Sequence, residues 1–201
     1  KKGYTLTQIT REISSVLGLK TKILPMTDDM FETRVRISEG SIHFEEYFVR
    51  RQAKDEVLGI EFIGAAIAKP APGVLDSILD AEIVVVCPSN PVVSIGPILA
   101  VDGVWDALKR TNARVVGISP IVAGMPIKGP ADKMLRCLGF EVSAYGVAKL
   151  YSDFLDTFVI DTKDTESKSR IENLGVNVKV TNTVMKSLED KVVLAKVVLE
   201  N

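Results

Sequence analysis

The chain has 201 residues, 46% of them apolar and 25% charged, with 25 basic residues against 26 acidic ones. That length suits one large domain with a substantial core, and the apolar share excludes a disordered chain. A formal net charge of −1 excludes a broad polycationic nucleic-acid binder, and no apolar run reaches the roughly 20 residues that span a bilayer.

The opening Lys1-Lys2-Gly3-Tyr4 has no initiator Met and no apolar run of the signal-peptide kind, and reads as the interior of a longer protein. Thr5-Leu6-Thr7-Gln8 has the form of a capping box. It predicts a helix with Leu6, Ile9, Ile13, Val16 and Leu17 on one face, closed by Gly18. Strands are expected at Lys22–Met26, Thr33–Ser38 and Leu58–Gly64, with a helix over His43–Arg51. From there helices and β-rich runs alternate. Helix Pro72–Leu79 leads to strand Ile83–Cys87, a loop with a short helix, and helix Asp102–Arg110. Strand Arg114–Ser119 is followed by helices Pro130–Leu138 and Gly146–Leu155, then strand Thr157–Asp161. Helix Thr165–Leu174, strand Val176–Thr181 and helix Leu188–Leu199 complete the chain.

This alternation predicts an α/β fold: a three-layer Rossmann-like parallel sheet, with residues 26–63 as a small inserted antiparallel or mixed lobe. Ile83–Cys87 and Arg114–Ser119 are continuously apolar, so both are expected in the sheet interior, buried on both faces. Cys87 and Cys137 read as small core residues of a protein from a reducing cytoplasm, not as a disulfide framework.

Ligands of open parallel sheets sit beyond the carboxyl ends of the strands. Two loops there carry suitable chemistry. Pro88-Ser89-Asn90-Pro91 leads through Ser94 to Gly96, placing hydroxyls, an amide and a glycine at a helix entry. The alternative is an ordinary turn with Ser94 as the N-cap. Lys128-Gly129-Pro130-Ala131-Asp132-Lys133 puts two lysines around a helix start, where a cation opposes the helix dipole unless an anion binds. Thr27-Asp28-Asp29 suits a hard cation or a ligand's N–H and O–H groups, with an Asx-turn as the plain alternative. His43 is the single histidine and lacks companions for a zinc site.

Several segments occur together in one order: Ile23-Leu24-Pro25-Met26-Thr27-Asp28-Asp29, His43 through Arg51, Cys87 through Leu99 (CPSNPVVSIGPIL) and Lys128 through Lys133 (KGPADK). With Lys2 through Thr7, Gly146-Val147-Ala148 and Tyr151, they resemble the 2-phospho-L-lactate transferases of coenzyme F-420 biosynthesis. The resemblance covers the C-terminal two thirds of that family. The Gly-rich strand-turn-helix that opens its members is missing, so the chain reads as a fragment lacking that unit. A more distant group, the sugar-nucleotide-binding gluconeogenesis factors, carries a GPGSLYTS-like loop where this chain has CPSNPVVSIGP.

The resemblance implies a cytoplasmic, magnesium-dependent transferase. It moves phospholactate from lactyl-2-diphospho-5′-guanosine to the ribityl hydroxyl of the deazaflavin Fo and releases GMP, while bacterial members use an enolpyruvyl analogue of the donor. It also implies small-molecule partners, with no nucleic acid and no membrane. Ser89, Asn90, Ser94, Gly96, Lys128, Gly129 and Lys133 are then expected on the guanine-nucleotide side, and Thr27, Asp28 and Asp29 on the deazaflavin side. Mg²⁺ ligands are expected in the missing part, and no metal ligand is assigned here. A sheet left uncovered on one side would favour a homodimer. The alternative function is a non-enzymatic nucleotide or sugar-nucleotide binding module of the gluconeogenesis-factor type.

Overall fold

A computed structural model of the chain describes residues 3–200, so the resemblance carried by Lys2 lies outside the described residues. Thr5 opens α1 (Leu6–Val16) with both bonds of a capping box: its hydroxyl accepts from the Gln8 N–H, and its own N–H donates to Gln8 Oε1 at 2.9 Å. Gly18 then takes a φ of 64°, a left-handed conformation open to glycine without steric penalty. The helix buries Thr7 but leaves its apolar stripe of Leu6, Ile9, Ile13 and Val16 exposed.

The strand expected at Lys22–Met26 does not form. Pro25 removes a ladder donor, and the nearest pairing is an isolated bridge between Thr27 and Pro70. β1 (Glu32–Ile37), β2 (Gly40–His43) and β3 (Gly59–Ile63) instead make a three-stranded antiparallel sheet in the order β2-β1-β3. Val35 faces both Ile42 and Ile60 across the ladders and is fully buried. The helix expected over His43–Arg51 forms over residues 44–50 directly after β2, with its last five residues, Glu46–Arg50, in π geometry. His43 Nδ1 accepts the Glu45 N–H at 3.1 Å, so the single histidine serves the entry to that turn.

α2 (Val74–Leu79) leads to β4 (Ile83–Val86). A π-turn (Pro91–Ile95) then runs into α3 (Gly96–Leu99) and α4 (Val104–Arg110). β5 (Arg114–Ile118) is followed by the short hairpin β6 (Ile121–Val122) and β7 (Met125–Pro126). α5 (Ala131–Cys137), α6 (Ala144–Tyr151), β8 (Thr157–Asp161), α7 (Lys168–Glu172), β9 (Asn177–Thr181) and α8 (Leu188–Leu199) complete the order. A 3₁₀ turn (Thr162–Ser167) precedes α7, so the single helix expected over Thr165–Leu174 is divided.

The main sheet is parallel, in the order β4-β5-β8-β9. Alternate residues feed two cores. Val115, Phe158 and Ile160 join the large cluster with Val104, Leu135 and Val147. Val116, Ile118 and Val159 pack on the other face against Leu194 and Val198 of α8. Helices therefore cover both faces, the three-layer arrangement expected of two-sided strands. Arg114 ties α8 to the sheet by donating to the carbonyls of Val198, Leu199 and Glu200, where a cation suits the negative end of the helix dipole.

The expectation of two interior strands holds for β5, four of whose five residues are buried, and fails for β4. β4 lies at the sheet edge, and Val85 remains 38% exposed. Its apolar composition matches an interior strand, but β5 is its single partner among the described residues. Cys87, just past this edge, is exposed, and Cys137 at the end of α5 is half-buried, so neither is a core residue.

Candidate functional site

The loops leaving β4 and β5 enclose a cavity of about 380 Å³. Ser89, Asn90, Ser94, Lys128 and Gly129 all line it, together with Pro120. The covalent reason is local. Asn90 Oδ1 accepts from the N–H groups of Val92 and Val93 at 3.0 and 3.2 Å, capping the turn that Pro91 begins. The N-cap is thus Asn90, not Ser94, whose hydroxyl is left on the cavity side. With its oxygen committed, Asn90 offers the cavity its NH₂ donors. The Lys128 loop is anchored from behind. Ala123, at the β6–β7 turn, holds a φ of 50°, and its N–H donates to both Asp164 oxygens at 3.0 and 3.2 Å. Burial pushes the Asp164 carboxyl up from its ordinary range, against the lowering effect of that N–H.

The small lobe contributes aromatic residues to the same cavity. Phe44 and Phe48 stack with ring planes 6° apart and centroids 5.7 Å apart, and both line the cavity. Gly129, at φ 71°, sits against these rings: a Cβ there would come within 3.8 Å of Phe48 Cε2. The sequence shows these rings as a helical spacing of aromatics but not their role in lining the cavity, which depends on where the lobe packs.

Two of the residues expected on the nucleotide side lie elsewhere. Lys133 Nζ donates to the carbonyls of Ala53, Lys54 and Asp55 at 2.6, 3.0 and 3.3 Å. These carbonyls relieve the conflict between its charge and the start of α5. Gly96 lies in a separate apolar depression, where a Cβ would come within 3.2 Å of the Phe62 ring. The carbonyls that Lys133 binds belong to a loop in which Gln52 and Ala53 both have positive φ, 55° and 51°. Tyr47, fully buried, shares two of them. Burial, with Asp55 and Asp132 adding to it, pushes the Tyr47 hydroxyl up to about 12, so it remains a donor.

Thr27, Asp28 and Asp29 are not among the lining residues and form a staple between segments of the chain. Asp28 accepts from the Thr7 N–H at 2.6 Å and the Thr7 hydroxyl at 2.9 Å, holding α1 in place. Asp29 accepts the Lys69 N–H at 2.8 Å, while the Thr27 hydroxyl donates to the Lys69 carbonyl at 2.6 Å. Among the described residues no three His, Cys, Asp or Glu side chains converge where they could share an ion.

A parallel sheet covered on both faces, with hydrogen-bond donors gathered beyond two adjacent strand ends, defines a Rossmann-like α/β protein with a small-molecule site. The chain belongs to the 2-phospho-L-lactate transferase CofD family, which matches residues 1–198. It is 38% identical over 199 residues to the 2-phospho-L-lactate transferase of Methanosarcina barkeri, covering 99% of this chain and 64% of that protein. It is 40% identical over 202 residues to the phosphoenolpyruvate transferase of Kitasatospora aureofaciens, covering 98% of this chain and 63% of that protein. The chain thus spans somewhat less than two thirds of these relatives' length. Protein BH3568 of Bacillus halodurans shares the fold at a TM-score of 0.68 and 18% identity, over 98% of this chain and 67% of that one. No single helix among the described residues is long and apolar enough to cross a membrane.

Proposed function

We propose that this chain forms the donor side of a cytoplasmic phospholactate transferase. The acceptor is the ribityl hydroxyl of the deazaflavin Fo, and the donor is lactyl-2-diphospho-5′-guanosine. In the transfer, the acceptor oxygen bonds to the phospholactyl phosphorus as the bond to GMP breaks, and the hydroxyl proton is lost. The observation that carries this reading is the donor set in the cavity: Ser89, Asn90, Ser94 and Lys128 all line it, with two hydroxyls, an NH₂ and an ammonium among their side-chain groups. All of them donate, which suits the oxygens of a diphosphate, and phosphoryl transfer depends mainly on such positioning and charge neutralisation. The names of the relatives, phospholactate in one and phosphoenolpyruvate in another, support transfer of a phosphorylated three-carbon acid and fit the lactyl donor and its enolpyruvyl analogue alike.

Magnesium comes with the family resemblance, and we assign none of this chain's acidic residues to it. Nor do Asp28 and Asp29 enter the proposed site, since their carboxylates are engaged by Thr7 and Lys69. We also propose that these 201 residues do not turn over alone, because transfer requires both substrates to be positioned together. The test is GMP release from the guanylated donor in the presence of Fo and Mg²⁺. No release is expected from the 201-residue chain and steady release from a version completed to the relatives' full length. Equal rates from the two would overturn the second proposal, and no release from the completed protein would overturn the first.

A further inference from the structure

The geometry points to Phe44 and Phe48 as a stacking platform for a flat heteroaromatic ring, one that specifies which phosphorylated compounds this cavity accepts. The inference rests on the donor-site reading above and goes beyond it by assigning the apolar wall. The two ring planes lie 6° apart, so the wall offers one flat apolar direction, and Phe48 remains 42% exposed although it is apolar. Lining the same cavity are hydrogen-bond donors on the loops after β4 and β5. A ligand matching both sets has a π-face together with anionic or hydroxyl oxygens, which describes a nucleotide, or a flavin-like acceptor with its ribityl hydroxyls, better than a sugar phosphate. Base–aromatic stacking tolerates any such ring, since each has a π-face.

The platform is a built feature of the fold. Behind it, the turn that carries Phe48 continues into Gln52 and Ala53, two successive non-glycine residues at φ 55° and 51°. Conformations of this kind persist only when the surroundings over-determine them. Here Lys133 and the Tyr47 hydroxyl converge on the same carbonyls of Ala53 and Asp55. Lys133 thereby acts as a positioning residue, fixing the lobe that bears the rings to α5 and the adjoining Gly129 loop.

Calorimetric titration of the 201-residue chain with inorganic pyrophosphate, GDP and Fo separates the contributions. Phe48→Leu keeps an apolar side chain but removes the flat face, and Phe48→Tyr retains it. Phe48→Leu is expected to weaken GDP, Fo or both by at least about fivefold, with pyrophosphate unchanged and Phe48→Tyr close to the parent. The ligand that weakens identifies the ring, guanine or deazaflavin, that the wall holds. Unchanged affinity of both ring compounds in a folded Phe48→Leu overturns the platform. So does equal weakening of pyrophosphate, which would mean a general loss of the site. Binding of pyrophosphate alone by the parent overturns the platform while leaving the phosphate site standing, and no binding of any of the three overturns the donor-site reading itself.

Discussion

Lys133 illustrates how a charge near a helix start acquires a partner that the sequence conceals. Residues 128–133 place two lysines around one turn, and one-dimensional reasoning sends both to an anion. The fold separates them. Lys128 lines the cavity, whereas Lys133 crosses to three carbonyls some eighty positions earlier in the chain. Asp28 behaves likewise: its carboxylate looks available in the sequence but is taken by Thr7, 21 positions away. Such long-range polar pairings carry no periodic or motif signal. Replacing Lys133 by Met leaves carbonyls that Lys133 satisfied without their charged donor, at a cost of about 1–3 kcal/mol. Urea unfolding of Lys133→Met should show that loss while pyrophosphate affinity stays near the parent's. Full stability with a weakened pyrophosphate site would instead place Lys133 at the ligand.

Elements with strong periodicity or continuous apolar runs were legible. The capping box at Thr5, the interior strands β5 and β8, and α8 fall within a residue or two of their expected places. Three kinds of element were not. The π form of the turns at Glu46–Arg50 and Pro91–Ile95, both helical in the sequence reading, has no characteristic spacing, and the two-residue strands of the β6–β7 hairpin are too short to leave a pattern. The edge position of β4 depends on partners, which a strand's own composition does not encode. α6 begins two residues earlier than expected, because Ser143 caps it by accepting the Gly146 N–H at 3.0 Å. That geometry makes Gly146 essential to the entry. A Cβ there would lie 2.0 Å from the Glu141 carbonyl oxygen, so the backbone of the preceding turn must shift. Gly146→Ala should therefore lower stability by about 1–3 kcal/mol. It should appear as a lower denaturation midpoint with little change in slope. An unchanged midpoint would show that the turn yields freely.

At the scale of the molecule, the site is a meeting of two units with different physical characters. The parallel sheet supplies strand ends and donor-bearing loops, and the antiparallel lobe supplies aromatic residues to the same cavity. The donor loops were visible in the sequence because Asn, Ser, Gly and Lys at strand ends carry chemistry on their own. Their convergence with Phe44 and Phe48 was not, since it depends on how the lobe folds back over the sheet. The central claim is that this junction binds the diphosphate of a guanylated donor, with Lys128 supplying its charge. The most direct test is calorimetric titration of GDP into the 201-residue chain and into Lys128→Ala. Lys128 is exposed, so its removal should leave the melting temperature nearly unchanged. The account predicts saturable one-site binding by the parent and a loss of roughly ten- to hundredfold in Lys128→Ala, the value of one charge-assisted contact. GDP affinity that is the same in the two proteins would contradict it.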